Sequence, residues 1–470
     1  MYRSSLCWIR RDLRLSDHRA LFEATSQSQQ TTVVFVYDTT ILDELTDRHD
    51  RRVSFIKESL DEVDAGLRAH GSGLLTLVGD PVDLIPRLAA LLGVEAVFCS
   101  HDDDPYACSR DSLVKEKLGS VAFHSFKDHV IFEKQEVVNQ QGLPFRVYTP
   151  YMKAWKANFV PGMASSIDAD FSKLTPVGSL PKEHLGNRSF EEIGFHQTQN
   201  WVGSGEKAAR KQLEGFMSHV HRYSETRDFP ALSDGVSGLS VHLRHGTISV
   251  RECVRAALSG SSNGHEKWFN ELIWREFYHM ILACFPHVVE SPFQTQYEGL
   301  KWPGSQEAFD TWAAGQTGYP IVDAAMRCLN ETGWMHNRLR MIVASFLTKD
   351  LLCDYRWGEA YFAEKLLDFE LSSNNGGWQW AASVGVDAQP YFRIFNPVLQ
   401  SKKFDAEGKF IREWCPELAG FDNIQIHEPW AVSLMDQMSV GCEIGRDYPA
   451  PMVEHHVQKD LAIRLLTPQT

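Results

Sequence analysis

TTVVFVYDTTILDELTDRHDRRVSFIKESLDEVDAGLRAHGSGLLTLVG occupies residues 31–79. It opens on a short apolar run at 32–37 and closes on another at 74–78, with an amphipathic helical pattern at 51–68 between them. Strand, helix, strand in that order predicts a right-handed crossover joining two parallel neighbours. The alternation extends outward, through apolar runs at 6–9, 96–99 and 121–126 and a helical pattern at 82–92. Residues 1–130 are therefore expected to form an α/β domain around a parallel sheet. No GxGxxG follows the first run, so this Rossmann-like domain is not an ordinary dinucleotide-binding unit.

Beyond it the pattern changes. Residues 158–204 are rich in Pro, Gly and Ser and lack periodicity, which predicts a long connection within a linker at 131–205. From 206 to 470 the periodicity is helical, with candidates at 206–222, 249–259, 265–283, 320–331, 335–352 and 357–367. Pro320 at a helix start and Gly333 just past a helix end fit the usual positions of those residues. The fold expected is an N-terminal α/β domain plus a large all-α C-terminal domain.

Bulk properties narrow the function. No apolar run has the length of a signal peptide or a membrane span, which predicts a soluble, cytoplasmic protein. The nine cysteines include no CxxC pair, so they are expected to be reduced and no metal site is expected. A net charge of -14 means that any nucleic-acid site must be a local basic patch. Thirteen tryptophans, most of them after residue 200, are more aromatic surface than one core needs.

Three segments carry chemistry. In WFNELIWREFY (268–278), Glu271, Trp274, Arg275 and Tyr278 share one broad helix face, so a carboxylate, an indole and a guanidinium converge. A buried Glu–Arg pair under packing aromatics explains the same residues equally well. In GWMHNRLRM (333–341), Asn337, Arg340 and Met341 fall within one turn while Arg338 projects elsewhere, toward a phosphate or simply into solvent. In DFELSSNNGGWQW (368–380), paired Asn and paired Gly before two tryptophans suggest backbone close to a flat heteroaromatic ligand, with a helix cap at 372–375 as the alternative.

These segments, with TGYPIVDAAM (317–326), DAQPYFRIFNP (387–397) and CWIRRDLRLSDHRAL (7–21), resemble the DNA photolyase and cryptochrome family, in particular the bacterial class I cyclobutane pyrimidine dimer photolyases. The resemblance runs to HEPW (427–430) and implies a photolyase that uses reduced FAD and light to split pyrimidine dimers in double- or single-stranded DNA, with the dimer flipped out of the helix. Carried over by position, Tyr223, Ser237, Leu239 and Ser240 match the diphosphate and ribityl region of the FAD site. Trp268, Glu271, Arg275, Asn337, Arg340, Asp368, Glu370 and Asn374 match the remainder. Trp274 and Trp380 match the aromatic walls around the dimer, where Glu271, Asn337 and Met341 complete the catalytic set. Arg227, Lys153, Arg338, Arg393 and Lys402 match phosphate contacts, and a monomer without membrane contact is expected.

The resemblance has departures. Its chain of electron-transfer tryptophans matches at Trp378 and Trp302, but its middle position is Tyr355, with Trp357 two residues on. Glu370 replaces an Asp, Val236 a Thr and Gly238 an Arg. At the antenna site the family's Asn–Glu pair is Tyr106 and Ala107, while Asp102, Asp104 and Tyr106 resemble the acidic loop of deazaflavin-binding members. The expected antenna is 5,10-methenyltetrahydrofolate, with 8-hydroxy-deazaflavin, a flavin or no chromophore as alternatives. A cryptochrome-type blue-light photoreceptor is the rival function. Asn337, Arg338 and Met341, which stand where six-four photolyases carry histidines, favour the dimer enzyme, as does the short stretch after HEPW.

Overall fold

The computed structural model describes residues 1–467, which separate into two compact units. The first comprises residues 1–144, 150–221 and 237–284; the second comprises 145–149, 222–236 and the described chain from 285 onward.

In the first unit, β1 (Tyr2–Trp8), β2 (Ser28–Asp38), β3 (Leu74–Gly79), β4 (Ala96–Ser100) and β5 (Ala122–Phe126) form one sheet in the order β3-β2-β1-β4-β5. Every pairing is parallel, and Cys7 at the centre registers with Val33 on one side and Phe98 on the other. The five apolar runs of the sequence are thus the five strands. Successive strand residues face opposite ways. Cys7, Val33, Phe35, Tyr37 and Phe98 join one core with Val53, Leu60, Val63 and Leu67 of the Arg51–Ala69 helix. Leu6, Trp8, Val34, Val36 and Val97 join the other with Ile85, Leu88 and Ala89 of the Pro81–Leu92 helix. Burial on both faces is why these strands read as nearly continuous apolar runs.

The stretch expected as an aperiodic connection holds four short 3-10 turns and runs beside the sheet, with Leu174 bridging to Thr31 and Leu185 to Leu75. Residues 237–284 complete this unit electrostatically. Arg251 donates from Nε to Asp17 and from Nη2 to Asp128, each at 2.8 Å, and Arg14 Nη2 reaches Asp128 at 2.6 Å. These side chains are almost sealed from solvent, where a charge left alone costs about 3–5 kcal/mol. Gly246 permits the close approach, since a Cβ there would sit 1.9 Å from the Arg11 carbonyl oxygen.

The second unit is helical around a core that includes Trp312, Phe346, Leu347, Tyr355 and Trp378. The patterns at 320–331 and 357–367 appear as the Pro320–Thr332 and Tyr355–Lys365 helices. The expected helix over 335–352 is instead two pieces, Asn337–Ser345 and a π-helical turn at Phe346–Asp350, closed by the Leu351 amide on the Phe346 carbonyl at 3.0 Å. The wide turn seats Lys349 in the interior, where Nζ donates to Ser383 Oγ at 2.7 Å and to the Ala382 carbonyl at 3.1 Å. That ammonium caps the C-terminal end of the Leu371–Ala382 helix, although burial lowers its pKa to about 7.

Among the described residues no helix is long and apolar enough to cross a membrane, no group of His, Cys, Asp or Glu is arranged to hold a metal ion, and no cysteine is in a disulfide.

Candidate functional site

In the first unit the Asn263–Cys284 helix carries four of the expected site residues. Ser262 starts it by accepting the His265 amide at 3.3 Å. Trp268 is buried edge-on to Phe216, with ring centres 5.0 Å apart. Glu271 and Arg275 follow at helical spacing, and Arg275 Nη1 donates to the His129 carbonyl at 2.5 Å. Trp274 is half-buried beside Phe277 and Tyr278, each ring 5.8 Å away.

The helix is fixed in rotation from its other face by Glu276, which the sequence reading passed over. This carboxylate is 1% exposed and accepts from the Ile131 amide at 2.5 Å, the Phe132 amide at 3.2 Å and Trp155 Nε1 at 2.5 Å. Burial pushes its pKa up to about 7. A Glu set among Ile273, Phe277 and Met280 was the available signal, because such a position is otherwise apolar.

Ser237, Leu239 and Ser240 lie in the same unit. The Ser237 carbonyl accepts from Gln212 Nε2 at 2.9 Å. Gly238 has φ +64°, a conformation that an Arg at this position would adopt only with strain. Lys153 is exposed on the Tyr148–Asn158 helix.

The three antenna candidates, also in this unit, all have partners within the protein. Asp102 is paired with Arg11 at 2.9 Å, and desolvation, which would raise its pKa, is outweighed by Arg11 and Arg10, which hold it low. Asp104 caps the Pro105–Lys117 helix by accepting the Tyr106 amide at 2.9 Å. Tyr106 donates its hydroxyl to Asp38 at 2.7 Å.

In the second unit the Asn337–Ser345 helix is capped by His336, whose Nδ1 accepts the Arg338 amide at 3.1 Å. Its Nε2 is buried without a hydrogen-bond partner, and burial lowers the imidazole pKa to about 4, so the ring is neutral. Asn337 is exposed. Arg340 donates from Nη2 to both Asp368 oxygens, at 2.8 and 3.0 Å, and from Nε to the Met335 carbonyl at 2.8 Å. Arg338 is held to Asp228 at 2.8 Å, with its guanidinium 4.4 Å from the Phe404 ring centre and Nη1 3.6 Å from Met341 Sδ. Arg227 lies 5.4 Å above the buried Tyr223 ring. Lys402 is 3.6 Å from Glu428, and Arg393 is exposed.

The segment 368–380 resolves in favour of a helix. Leu371–Ala382 is helical with Glu370 at its N-cap, so residues 372–375 lie inside the helix and the cap reading is corrected. Asn374 Nδ2 donates to the Glu359 carbonyl at 3.0 Å, and Asn375 Nδ2 to Glu359 Oε1 at 3.0 Å and the Val288 carbonyl at 2.8 Å. Trp378 is buried, while Trp380, two residues on, is half-exposed.

These residues fit a bound flavin nucleotide. A Cβ at Gly377 would meet no protein atom within 4 Å. Glycine inside a helix costs about 0.5–1 kcal/mol relative to alanine, and no packing in the protein accounts for that cost here. Ser372 Oγ and His336 Nε2 are buried without partners, and the Arg340–Asp368 pair and the Asn374 amide offer the donors and acceptors that a polar ring edge needs.

The chain matches the family model described as DNA photolyase over residues 5–169 and the one described as FAD binding domain of DNA photolyase over residues 268–467. It is 40% identical to the deoxyribodipyrimidine photo-lyase of Synechococcus sp., over 97% of this chain and 94% of that one. A class III photolyase structure from Agrobacterium tumefaciens superposes with a TM-score of 0.90 at 32% identity, covering 99% of this chain and 97% of the other. A photolyase from Sulfolobus tokodaii, described with two FAD molecules, gives 0.84 at 30%, with 98% and 99% covered. The parallel sheet and the helical unit thus have full-length counterparts, and the chain belongs to the DNA photolyase family.

Proposed function

We propose that this protein is a deoxyribodipyrimidine photo-lyase that uses bound FAD and blue or near-ultraviolet light to split cyclobutane pyrimidine dimers in DNA. The observation that carries this reading is the 40% identity over nearly the whole chain to an enzyme of that name, which favours the lyase over a cryptochrome-type photoreceptor. Fully reduced FAD, when bound, supplies the light-excited electron that opens the dimer and then recovers it, so the net redox change is zero.

The chain's own residues bind, orient and exclude water. Tyr223, Ser237, Leu239 and Ser240 hold the diphosphate and ribityl portion; Trp268, Glu271, Arg275, Asn337, Arg340, Asp368, Glu370 and Asn374 hold the rest. Arg340 and Asp368 neutralise each other, so the pair adds polarity without net charge. Trp274 and Trp380 stack on the flipped bases, with Glu271, Asn337 and Met341 beside them. Arg227, Lys153, Arg338, Arg393 and Lys402 are the phosphate contacts that an acidic protein requires locally.

By function, residues 1–130 form the antenna domain, 131–205 the linker and 206–470 the catalytic domain of a cytoplasmic monomer. The antenna chromophore is 5,10-methenyltetrahydrofolate. Asp102, Asp104 and Tyr106 support a deazaflavin or flavin as the alternative, and the second FAD of the Sulfolobus tokodaii protein makes the flavin concrete. Repair of dimer-containing DNA, compared in light and dark, tests the function, and no light-dependent repair by protein carrying reduced flavin refutes it.

A further inference from the structure

Tyr355 stands where the family has the middle tryptophan of its electron chain, yet it is poorly placed to relay. It is 2% exposed, its burial holds the phenolic proton more tightly than usual, and among the described residues it has no ring contact with Trp378 or Trp302. Oxidising a phenol requires that proton to leave, and among the described residues none accepts a hydrogen bond from the Tyr355 hydroxyl to take it.

A different aromatic path leaves Trp378. The Trp312 ring lies 6.1 Å from it at 76°, with Phe362 wedged 5.0 Å from Trp378 and stacked 6.4 Å from Trp312. From Trp312, contacts of 5.7 Å to Phe309 and 5.8 Å from Phe309 to Trp357 reach the surface, where Trp357 is 36% exposed.

The two buried indoles also differ in a way that sets direction. Trp378 Nε1 is buried without a hydrogen-bond partner, whereas Trp312 Nε1 donates to the Val343 carbonyl at 3.1 Å. An indole radical cation is acidic at that nitrogen, so an aligned carbonyl stabilises the positive charge on Trp312 and nothing comparable does so on Trp378. A hole therefore moves downhill from Trp378 to Trp312.

We infer that light-driven reduction of the oxidised cofactor in this protein runs through Trp378, Trp312 and Trp357, bypassing Tyr355. This rests on the reading that Trp378 adjoins the flavin. Photo-excited oxidised flavin takes one electron from Trp378; Trp312 gives one electron to the Trp378 radical cation; Trp357, across Phe309, gives one to Trp312. An external thiol then reduces the Trp357 radical, so each flavin electron is matched by one thiol oxidised. Phe309 and Phe362 are tunnelling medium and hold no charge.

The test is flash spectroscopy of the oxidised holoprotein, following tryptophanyl and tyrosyl radicals alongside flavin bleaching with a thiol donor. Wild type is expected to form a long-lived tryptophanyl radical that thiol quenches. Trp312→Phe loses that radical, and Trp357→Phe, a surface change that spares the core, makes it insensitive to thiol. Tyr355→Phe retains both. Loss of the radical in Tyr355→Phe with survival in Trp312→Phe overturns the path, and a long-lived tyrosyl radical in wild type overturns Trp357 as its end, since Tyr361 also lies 5.9 Å from Trp312. If Trp378→Phe bleaches like wild type, the placement of Trp378 beside the flavin has failed instead.

Discussion

Replacing Asp368 by Asn preserves shape and removes the charge that Arg340 faces. Asp368 has 2% of its side chain exposed and accepts two bonds from Arg340, whose own side chain is 27% exposed. Removing one partner of a buried ion pair costs about 3–5 kcal/mol. Partial hydration of the guanidinium and its surviving bond to the Met335 carbonyl place this pair at the lower end. We expect a loss of about 3 kcal/mol, roughly two orders of magnitude in the folding equilibrium. Urea unfolding of flavin-free protein, followed by circular dichroism, measures it. A companion variant, Arg340→Met with Asp368→Leu, removes both charges and should recover most of the stability while still losing flavin, read as bound absorbance after dialysis. Wild-type flavin affinity in the double variant refutes the cofactor role, and a cost under about 1 kcal/mol in Asp368→Asn, the level of an exposed pair, refutes the burial argument.

Further outcomes follow from other groups. His336 is held neutral, its pKa lowered from 6.5 to about 4, so the unfolded chain takes up a proton that the folded chain refuses. Its stability contribution is complete above pH 6.5 and is lost as pH falls toward 4, by about 3 kcal/mol; His336→Asn should flatten that part of the urea-midpoint profile, and an unchanged profile sinks the assignment. Trp274→Ala should weaken binding to dimer-containing DNA by about 1–3 kcal/mol and leave undamaged DNA nearly unaffected, whereas Arg338→Ala should weaken both and shallow the salt slope by about 0.9. Equal losses on the two DNAs for Trp274→Ala would end its stacking role. Changing Asp102 to Ala and Asp104 to Ser should remove any near-ultraviolet antenna band while FAD absorbance stays, because Ser keeps the helix cap; a surviving band places the chromophore elsewhere.

Strand-level organisation was legible because buried parallel strands and amphipathic helices have different periods, and all five runs of the sheet announced themselves. The cofactor-site candidates were legible for another reason: Asn, Gly and Trp at 374–380 are poor choices for a plain core helix. What stayed hidden depends on partners distant in sequence. Glu276 tethers residues 131, 132 and 155, more than 120 positions away. The break of helix 335–352 into a π turn is decided by where Lys349 finds Ser383 and Ala382, which no local pattern encodes. Similarly, nothing in the sequence singled out Trp312, and only its ring contacts and its bond to Val343 distinguish it.

The buried charges around Asp17 and Asp128 bear on how the chain is made. Translation delivers residues at about 5–20 per second, so the 123 positions separating Asp128 from Arg251 represent roughly 6–25 s on the ribosome. Throughout that interval all five strands have been synthesised, but the Asp17 carboxylate lacks both of its arginines, Arg251 and Arg255. Closing the sheet unit early would bury an uncompensated charge. The nascent unit must therefore stay open around Asp17 until the helix bearing those arginines emerges, and a ribosome pause between residues 128 and 251 would prolong exposure of the sheet's apolar faces to holding chaperones.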